Sequence, residues 1–230
     1  MRLRIRRYLL VGNHAWLLAT ACCAALLYSS WPLAFWLNPA ASRHDLASSF
    51  EVPHQPYNWV FIGLDILSGL GVVLIAGVQY RAARAPLMRK SIATYALFGA
   101  TTAAAAFLPF TCDPGIASCR SLWQDPLSAL HDALSLIGLA ALFVSTVLII
   151  RGVKRHTPSR VAHRTARMLL GAWVLAGVAT GVSVLRHTGN NLFQYSFIAL
   201  CSLLIILIVL FVEHLGAHAA GETSSRHSLK

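Results

Sequence analysis

The chain has 230 residues, of which 57% are hydrophobic and 12% are charged. Soluble domains carry about 25% charged residues, so this composition excludes an ordinary cytosolic enzyme, a disordered chain and a small disulfide-rich protein. A polytopic membrane protein remains. The net charge of +11 would favour nucleic-acid binding in a soluble protein. Here the membrane topology accounts for the charge, and we expect the lipid bilayer as a partner and no nucleic acid.

Six segments are apolar over the roughly 20 residues that a helix needs to cross a bilayer. In chain order they are residues 8–35, 59–78, 92–110, 127–150, 168–185 and 192–212. The first could also be a signal peptide cleaved before Cys22, but its apolar run continues to Phe35, so we keep it as a helix. We therefore predict an all-α fold in which residues 1–230 form a single transmembrane bundle of six helices. Residues 213–230 would be a cytoplasmic tail.

The basic residues decide the orientation, because the cytoplasmic loops of membrane proteins are rich in Lys and Arg. With a cytoplasmic N-terminus, 16 of the 19 Lys and Arg residues lie on the cytoplasmic side, and Arg43, Arg120 and Arg186 lie outside. We therefore predict that both termini are cytoplasmic and that, in a bacterium, the chain resides in the cytoplasmic (inner) membrane. Six of the eight acids lie on or near the outer side, which favours that side for polar side-chain chemistry.

Two of the five cysteines flank a short turn in the predicted outer loop between helices three and four. Cys112 and Cys119 enclose the residues DPGIAS, and an oxidising outer side would allow a disulfide that pins this loop. Two free thiols are the alternative. Cys22, Cys23 and Cys201 lie within apolar helices and are expected to be packing residues.

Polar residues gather near the predicted outer ends of helices two, four and five. Asp65 lies six residues after Trp59, about 9 Å below the outer interface at 1.5 Å per residue. A carboxylate within an apolar span indicates a functional site. Asp125 and Pro126 are typical of an N-cap and a first helical position, which places His131 in the second turn of helix four. The predicted site residues are Asp65, Ser68, His131, Asp132, Ser135, Arg186 and His187.

Several interpretations of these residues remain open. The leading one is an integral membrane protein that binds a lipid or a small molecule at an outward-facing polar mouth. A second is an intramembrane metal-dependent hydrolase that uses zinc, although no H-E-x-x-H motif is present. Its candidate metal ligands are His131, His187, Asp65 and Asp132. A third is a small-solute or proton-coupled transporter. A structural polar cap, with Arg186 paired to Asp65 or Asp132, is the alternative to any site.

The stretch from Leu108 to Cys119, LPFTCDPGIASC, and the His131 that follows it resemble a known group of sequences. They are similar to bacterial six-helix membrane proteins of the domain of unknown function 998 family. That family has a proline at the end of helix three, a Cys-Asp/Ala-Pro turn, a second cysteine and a histidine at the start of helix four. Gly189 with Gln194 is a further match, but the chain lacks the basic residue expected after the glutamine. The resemblance implies the six-helix fold and the cysteine pair, and it implies no established activity.

Overall fold

The computed structural model describes residues 2–38, 46–83, 85–108, 111, 125–156, 160–186 and 192–227. These residues form α-helices and two short 3-10 helices, and none of them belongs to a strand. In chain order the elements are α1 (Arg2–Tyr28), η1 (Trp31–Leu33), α2 (Ala34–Leu37), η2 (Ala47–Glu51), α3 (Asn58–Ala82), α4 (Pro86–Ala106), α5 (Pro126–His156), α6 (Arg160–Arg186) and α7 (Leu192–His227). The predicted all-α fold is confirmed over this part of the chain.

Among the described residues, four helical segments are long and apolar enough to cross a membrane: Asn58–Ala82, Pro126–Gly152, Arg164–Val182 and Leu192–Glu213. Ala15–Tyr28 and Trp31–Leu37 together would make a fifth span, bent by 45°. The predicted span 92–110 belongs to α4, which is not in this set. Arg89, Lys90 and three threonines lower the hydropathy of α4. The structure therefore supports a multi-pass helical membrane protein with four spans, or five with the bent pair.

The first predicted span, residues 8–35, is not one continuous helix. α1 ends at Tyr28, and the chain becomes helical again at Trp31 with Pro32 in the first turn of η1. Proline lacks a backbone N–H and its ring clashes with the carbonyl of the preceding turn, so a straight helix cannot continue through Pro32. α7 continues beyond the last predicted span to His227, through most of residues 213–230.

The predicted N-cap of α5 is confirmed. The backbone N–H of Leu127 donates to Asp125 Oδ1 at 3.1 Å, and the hydroxyls of Ser128 and Thr111 donate to Asp125 Oδ2. The hydrogen bonds from Ser128 and then Thr111 are the main causes that lower the pKa of Asp125, because they favour the carboxylate. The cap fixes the start of α5 and so the position of His131 in its second turn.

The long helices pack mainly in chain order, and α7 completes the bundle. α4 packs between α3 and α5, while α7 contacts α1, α5 and α6. Tyr95 and Phe98 of α4 are fully buried in the shared core. Leu67, Leu70 and Leu74 of α3 are instead about half exposed, as expected for a helix that faces lipid.

α3 and α4 approach most closely at two glycines. A Cβ atom on Gly69 would lie 2.5 Å from the carbonyl oxygen of Gly99 and 2.7 Å from the backbone nitrogen of Ala103. A Cβ atom on Gly99 would lie 2.7 Å from the carbonyl oxygen of Gly69. Small residues at a helix crossing allow the two backbones to touch. This contact sets the position of Asp65, which lies one turn before Gly69, relative to α4.

Candidate functional site

A cavity of about 230 Å³ lies at the end of the bundle where α3 and α5 begin, which we call the loop end. The six long helices and η2 all contribute to its wall. Its polar lining side chains are Tyr28, Ser30, Ser48, Glu51, Asp65, Thr102, His131, Ser135, Thr180 and Gln194. Trp31, Phe61, Phe98 and Phe197 add aromatic surface. The cavity therefore combines carboxyl groups with aromatic rings.

The short helix η2 folds over the loop end and carries Glu51 into the bundle. The backbone N–H of Ala47 donates to Gln194 Oε1 of α7 at 2.8 Å, which anchors the start of η2. Near the other end of η2, the buried Phe50 ring lies 5.6 Å from that of Phe61, measured between centroids. Because both ends of η2 are held against the helices, Glu51 is only 7% exposed.

Glu51 and Asp65 form a hydrogen-bonded carboxyl pair. Two ionised carboxylates would repel each other and would have no proton to share, so one of the two groups is protonated. The hydrogen bond raises the pKa of Glu51, which makes Glu51 the donor and Asp65 the acceptor. Burial is the largest cause that raises the pKa of Glu51 well above its usual range, followed by the Asp65 charge and by this hydrogen bond. The pair thus holds a shared proton between two carboxyl groups at the cavity wall.

The second carboxyl oxygen of Glu51, Oε2, is buried and has no hydrogen-bond partner among the residues that the structure describes. Leaving a buried polar atom unpaired costs roughly 1–3 kcal/mol, and such atoms are uncommon in folded proteins. Because Glu51 lines the cavity, a molecule inside the cavity can supply the missing donor.

His131 joins the start of α5 to the end of α4. Its Nδ1 lies 2.9 Å from the carbonyl oxygens of both Ala105 and Leu108. Carbonyls at a helix C-terminus lack intrahelical partners, and a side chain that donates to them caps the helix. Carbonyl oxygens only accept, so Nδ1 carries a proton and donates in these contacts. His131 therefore holds α4 and α5 together in addition to lining the cavity.

Three of the predicted site residues, Asp65, His131 and Ser135, line the same cavity. Two others do not. The Ser68 hydroxyl donates to the carbonyl oxygen of Ala24 at 2.8 Å and ties α3 to α1. Asp132 is half-buried on α5, outside the cavity lining. The sequence-based prediction thus grouped residues whose side chains lie in different parts of the bundle.

Four predicted residues fall where the structure gives no side-chain description. His187, Cys112 and Cys119 lie outside the described residues, and so does the side chain of Arg186. The predicted disulfide and the predicted ion pair of Arg186 therefore stay predictions. Among the side chains that are described, no three His, Cys, Asp or Glu residues are grouped to hold a metal ion. The zinc and hydrolase hypotheses, which include His187 as a ligand, also stay predictions.

A comparison with family models assigns most of the chain, including the cavity, to one family. The chain matches the model described as Protein of unknown function (DUF998) over residues 21–213. The chain belongs to the DUF998 family. No curated protein and no solved structure matches it. The DUF998 match spans the cavity lining from Tyr28 to Ile198, so the cavity lies wholly within the family domain.

Sequence reasoning missed one central residue of this DUF998 domain, Glu51. Its only signal is local: Glu51 stands between two large apolar residues, Phe50 and Val52, both of which are buried. An acid flanked in this way in a loop indicates that the loop packs against the protein. The sequence does not indicate that the loop returns to Asp65, 14 residues further along the chain.

Proposed function

We propose that this chain is a six-span membrane protein that binds a small molecule or a lipid headgroup in the cavity at the loop end. Both termini would be cytoplasmic, the loop end would face outward, and in a bacterium the membrane would be the cytoplasmic membrane. The segregation of Lys and Arg along the sequence supports this orientation.

The position of α4 supports its role as the sixth span. α3 and α5 cover its two sides, and its Ile92, Tyr95 and Phe98 side chains are buried among them. A helix surrounded by other helices exposes little surface to lipid, so it needs fewer apolar residues than an outer helix. The low hydropathy of α4 is therefore compatible with a span in the interior of the bundle.

The observation that carries the proposed binding function is the buried Glu51 Oε2, an acceptor without a described partner at the wall of a cavity. Retaining a buried carboxyl beside a second one is unfavourable unless some interaction compensates for it. A bound molecule with a donor group would satisfy Oε2 and interact with the carboxylate of the pair. Aromatic rings in the same wall would bury the apolar part of that molecule.

Binding can be tested by thermal unfolding of the purified full chain in phosphatidylglycerol nanodiscs. The probes are choline, ethanolamine, glycerol, inositol, acetate and glycerol 3-phosphate. We expect at least one probe to raise the melting temperature. Glu51→Leu should abolish that increase, because the cavity loses an acceptor and the carboxyl pair.

Asp132→Leu is the matched control, since Asp132 is a partly buried acid at the same end of α5 but outside the cavity lining. It should keep the response to the probe. If no probe stabilises the unaltered chain, or if both variants lose the response equally, the proposed binding site is wrong.

The orientation has its own test. A cysteine introduced at the exposed His54 of the loop end should react with a membrane-impermeant thiol reagent in intact cells, whereas one at Ser159 should not. Peptide mass spectrometry would locate the label and separate it from reaction at the native cysteines. Labelling at Ser159 from outside would reverse the topology.

A further inference from the structure

We propose that the ligand of this cavity is a small organic cation with an ammonium group, either free or as the headgroup of a lipid. This inference rests on the proposed binding function and specifies its ligand class. It follows from three features of the cavity wall: its charge, its rings and the small number of its charged oxygen ligands.

The first feature is a negative charge that no described Lys or Arg at the cavity wall neutralises. The Glu51–Asp65 pair shares one proton and carries one negative charge when its second carboxyl group is ionised, and Glu51 Oε2 is an acceptor without a partner among the described residues. Among the described residues that line the cavity there is no Lys or Arg to neutralise this charge. A cation in the cavity would do so, and an N–H donor would also satisfy Oε2.

The second feature is the set of aromatic rings around the carboxyl pair. Tyr28, Trp31, Phe61 and Phe98 all line the cavity. Their neighbours hold several of them in place: Trp31 stacks on Tyr195 at 4.1 Å between centroids, and Tyr28 meets Phe98 edge-on at 5.7 Å. Ring faces attract ammonium groups through their quadrupole, most strongly where water is excluded. Fixed rings also reduce the ordering that binding requires.

The third feature separates an organic cation from a metal ion. Calcium takes six to eight oxygen ligands, and magnesium requires a near-octahedral set. The described wall offers two carboxyl groups as its charged oxygen ligands, and its other side-chain oxygens, on six hydroxyls and the Gln194 amide, are neutral. This arrangement suits a cation whose charge is spread over N–H or methyl groups in contact with ring faces.

Calorimetric titration of the full chain in phosphatidylglycerol nanodiscs tests the charge of the ligand directly. Choline is compared with 3,3-dimethylbutan-1-ol, an uncharged molecule of nearly the same shape. We expect choline to bind, and the uncharged analogue to bind more weakly by roughly 10-fold or more, because it lacks the positive charge that the ring faces and the carboxylate attract. Ethanolamine, which is smaller and has N–H donors, is titrated in parallel to compare the two kinds of ammonium.

A second set of nanodiscs separates the two sources of the ammonium group. In discs of phosphatidylcholine or phosphatidylethanolamine, a lipid headgroup in the cavity would raise the melting temperature without added amine and would abolish the response to choline or ethanolamine. An unchanged response in these discs would assign the site to a free amine. Both results support an ammonium ligand and differ only in its source.

Two variants place the ligand in this cavity rather than elsewhere. Asp65→Asn should weaken choline binding about 10-fold or more, because it removes the carboxylate of the pair. Phe61→Leu keeps a similar volume and should weaken binding by roughly 2- to 10-fold through loss of a ring face. Asp132→Asn should change nothing, since Asp132 does not line the cavity.

The outcomes distinguish the two proposals. Equal binding of choline and its uncharged analogue, or stabilisation by glycerol, acetate or glycerol 3-phosphate alone, would overturn the ammonium inference and leave a binding cavity in place. The absence of any response in the unaltered chain would overturn both. The comparison of choline with its analogue needs no variant, so a variant that fails to fold does not affect it.

Discussion

Replacing Gly69 with alanine tests whether the contact between α3 and α4 shapes the cavity. The new methyl group would lie 2.5 Å from the carbonyl oxygen of Gly99 and 2.7 Å from the backbone nitrogen of Ala103. Ordinary contacts of a Cβ atom begin at 3.4 Å, so the two helices must separate by roughly 1 Å. Both obstructing atoms belong to the backbone and cannot rotate away. Overpacking of this kind costs about 1–3 kcal/mol, more than the gain of roughly 1 kcal/mol from the higher helix propensity of alanine.

We therefore expect Gly69→Ala to lower the melting temperature in detergent and to weaken ligand binding, because Asp65 and Thr102 line the cavity within about one turn of this contact. The control is Gly77→Ala on the same helix, where a Cβ atom would meet nothing within 4 Å. It should be neutral or stabilise the fold by up to about 1 kcal/mol. Equal melting temperatures for the two variants would refute the close contact between α3 and α4.

Other predictions follow from the carboxyl pair, the cysteines and a polar contact in the core. A raised pKa means that Glu51 keeps its proton in the folded chain, so the stability it contributes is complete at low pH and is lost as the pH rises above the ordinary glutamate pKa of about 4.3. Glu51→Gln, which cannot titrate, should flatten the dependence of melting temperature on pH, and equal slopes would contradict the pairing. Mass spectrometry of non-reduced peptides from protein made in an oxidising compartment should show Cys112 linked to Cys119, and alkylation of both without reduction would disprove the link. Ser145→Ala should cost only about 0.6 kcal/mol in thermal unfolding, although its hydroxyl donates to the Ser91 carbonyl at 2.9 Å, because interhelical hydrogen bonds in membranes are weak. A loss above 2 kcal/mol would contradict this estimate.

The helical fold was accessible from the sequence because its signals are local. Long apolar runs predict helices whatever surrounds them, and the Asp125 cap depends only on residues of its own turn. Pro32 favours a helix break, but the apolar residues on both sides of it led to the prediction of one continuous span. α4 shows the limit of the same reasoning, since the apolar run 92–110 predicted a span but α4 is not among the segments apolar enough to cross a membrane.

Part of the site was predictable for the same reason. Depth along a helix follows from residue number, so Asp65 and His131 could be placed at one level, and both line the cavity. The direction of a side chain around the helix was harder to predict. Ser68 lies three residues after Asp65, which turns it by about 60° at 3.6 residues per turn, and this is enough to aim it at α1. His131 was expected to face a ligand, but its Nδ1 is directed to the carbonyls at the end of α4.

The Glu51–Asp65 pair shows why the rest of the site could not be predicted from the sequence. Asp65 is set by its own helix, but Glu51 reaches it only because η2 is held by the bond from Ala47 to Gln194 and by the burial of Phe50. Gln194 is 147 residues from Ala47, so no local pattern encodes the contact. The chemistry at the loop end therefore depends on packing between distant segments. A carboxylate that looked isolated in the sequence becomes one half of a proton-sharing pair beside a cavity with aromatic walls.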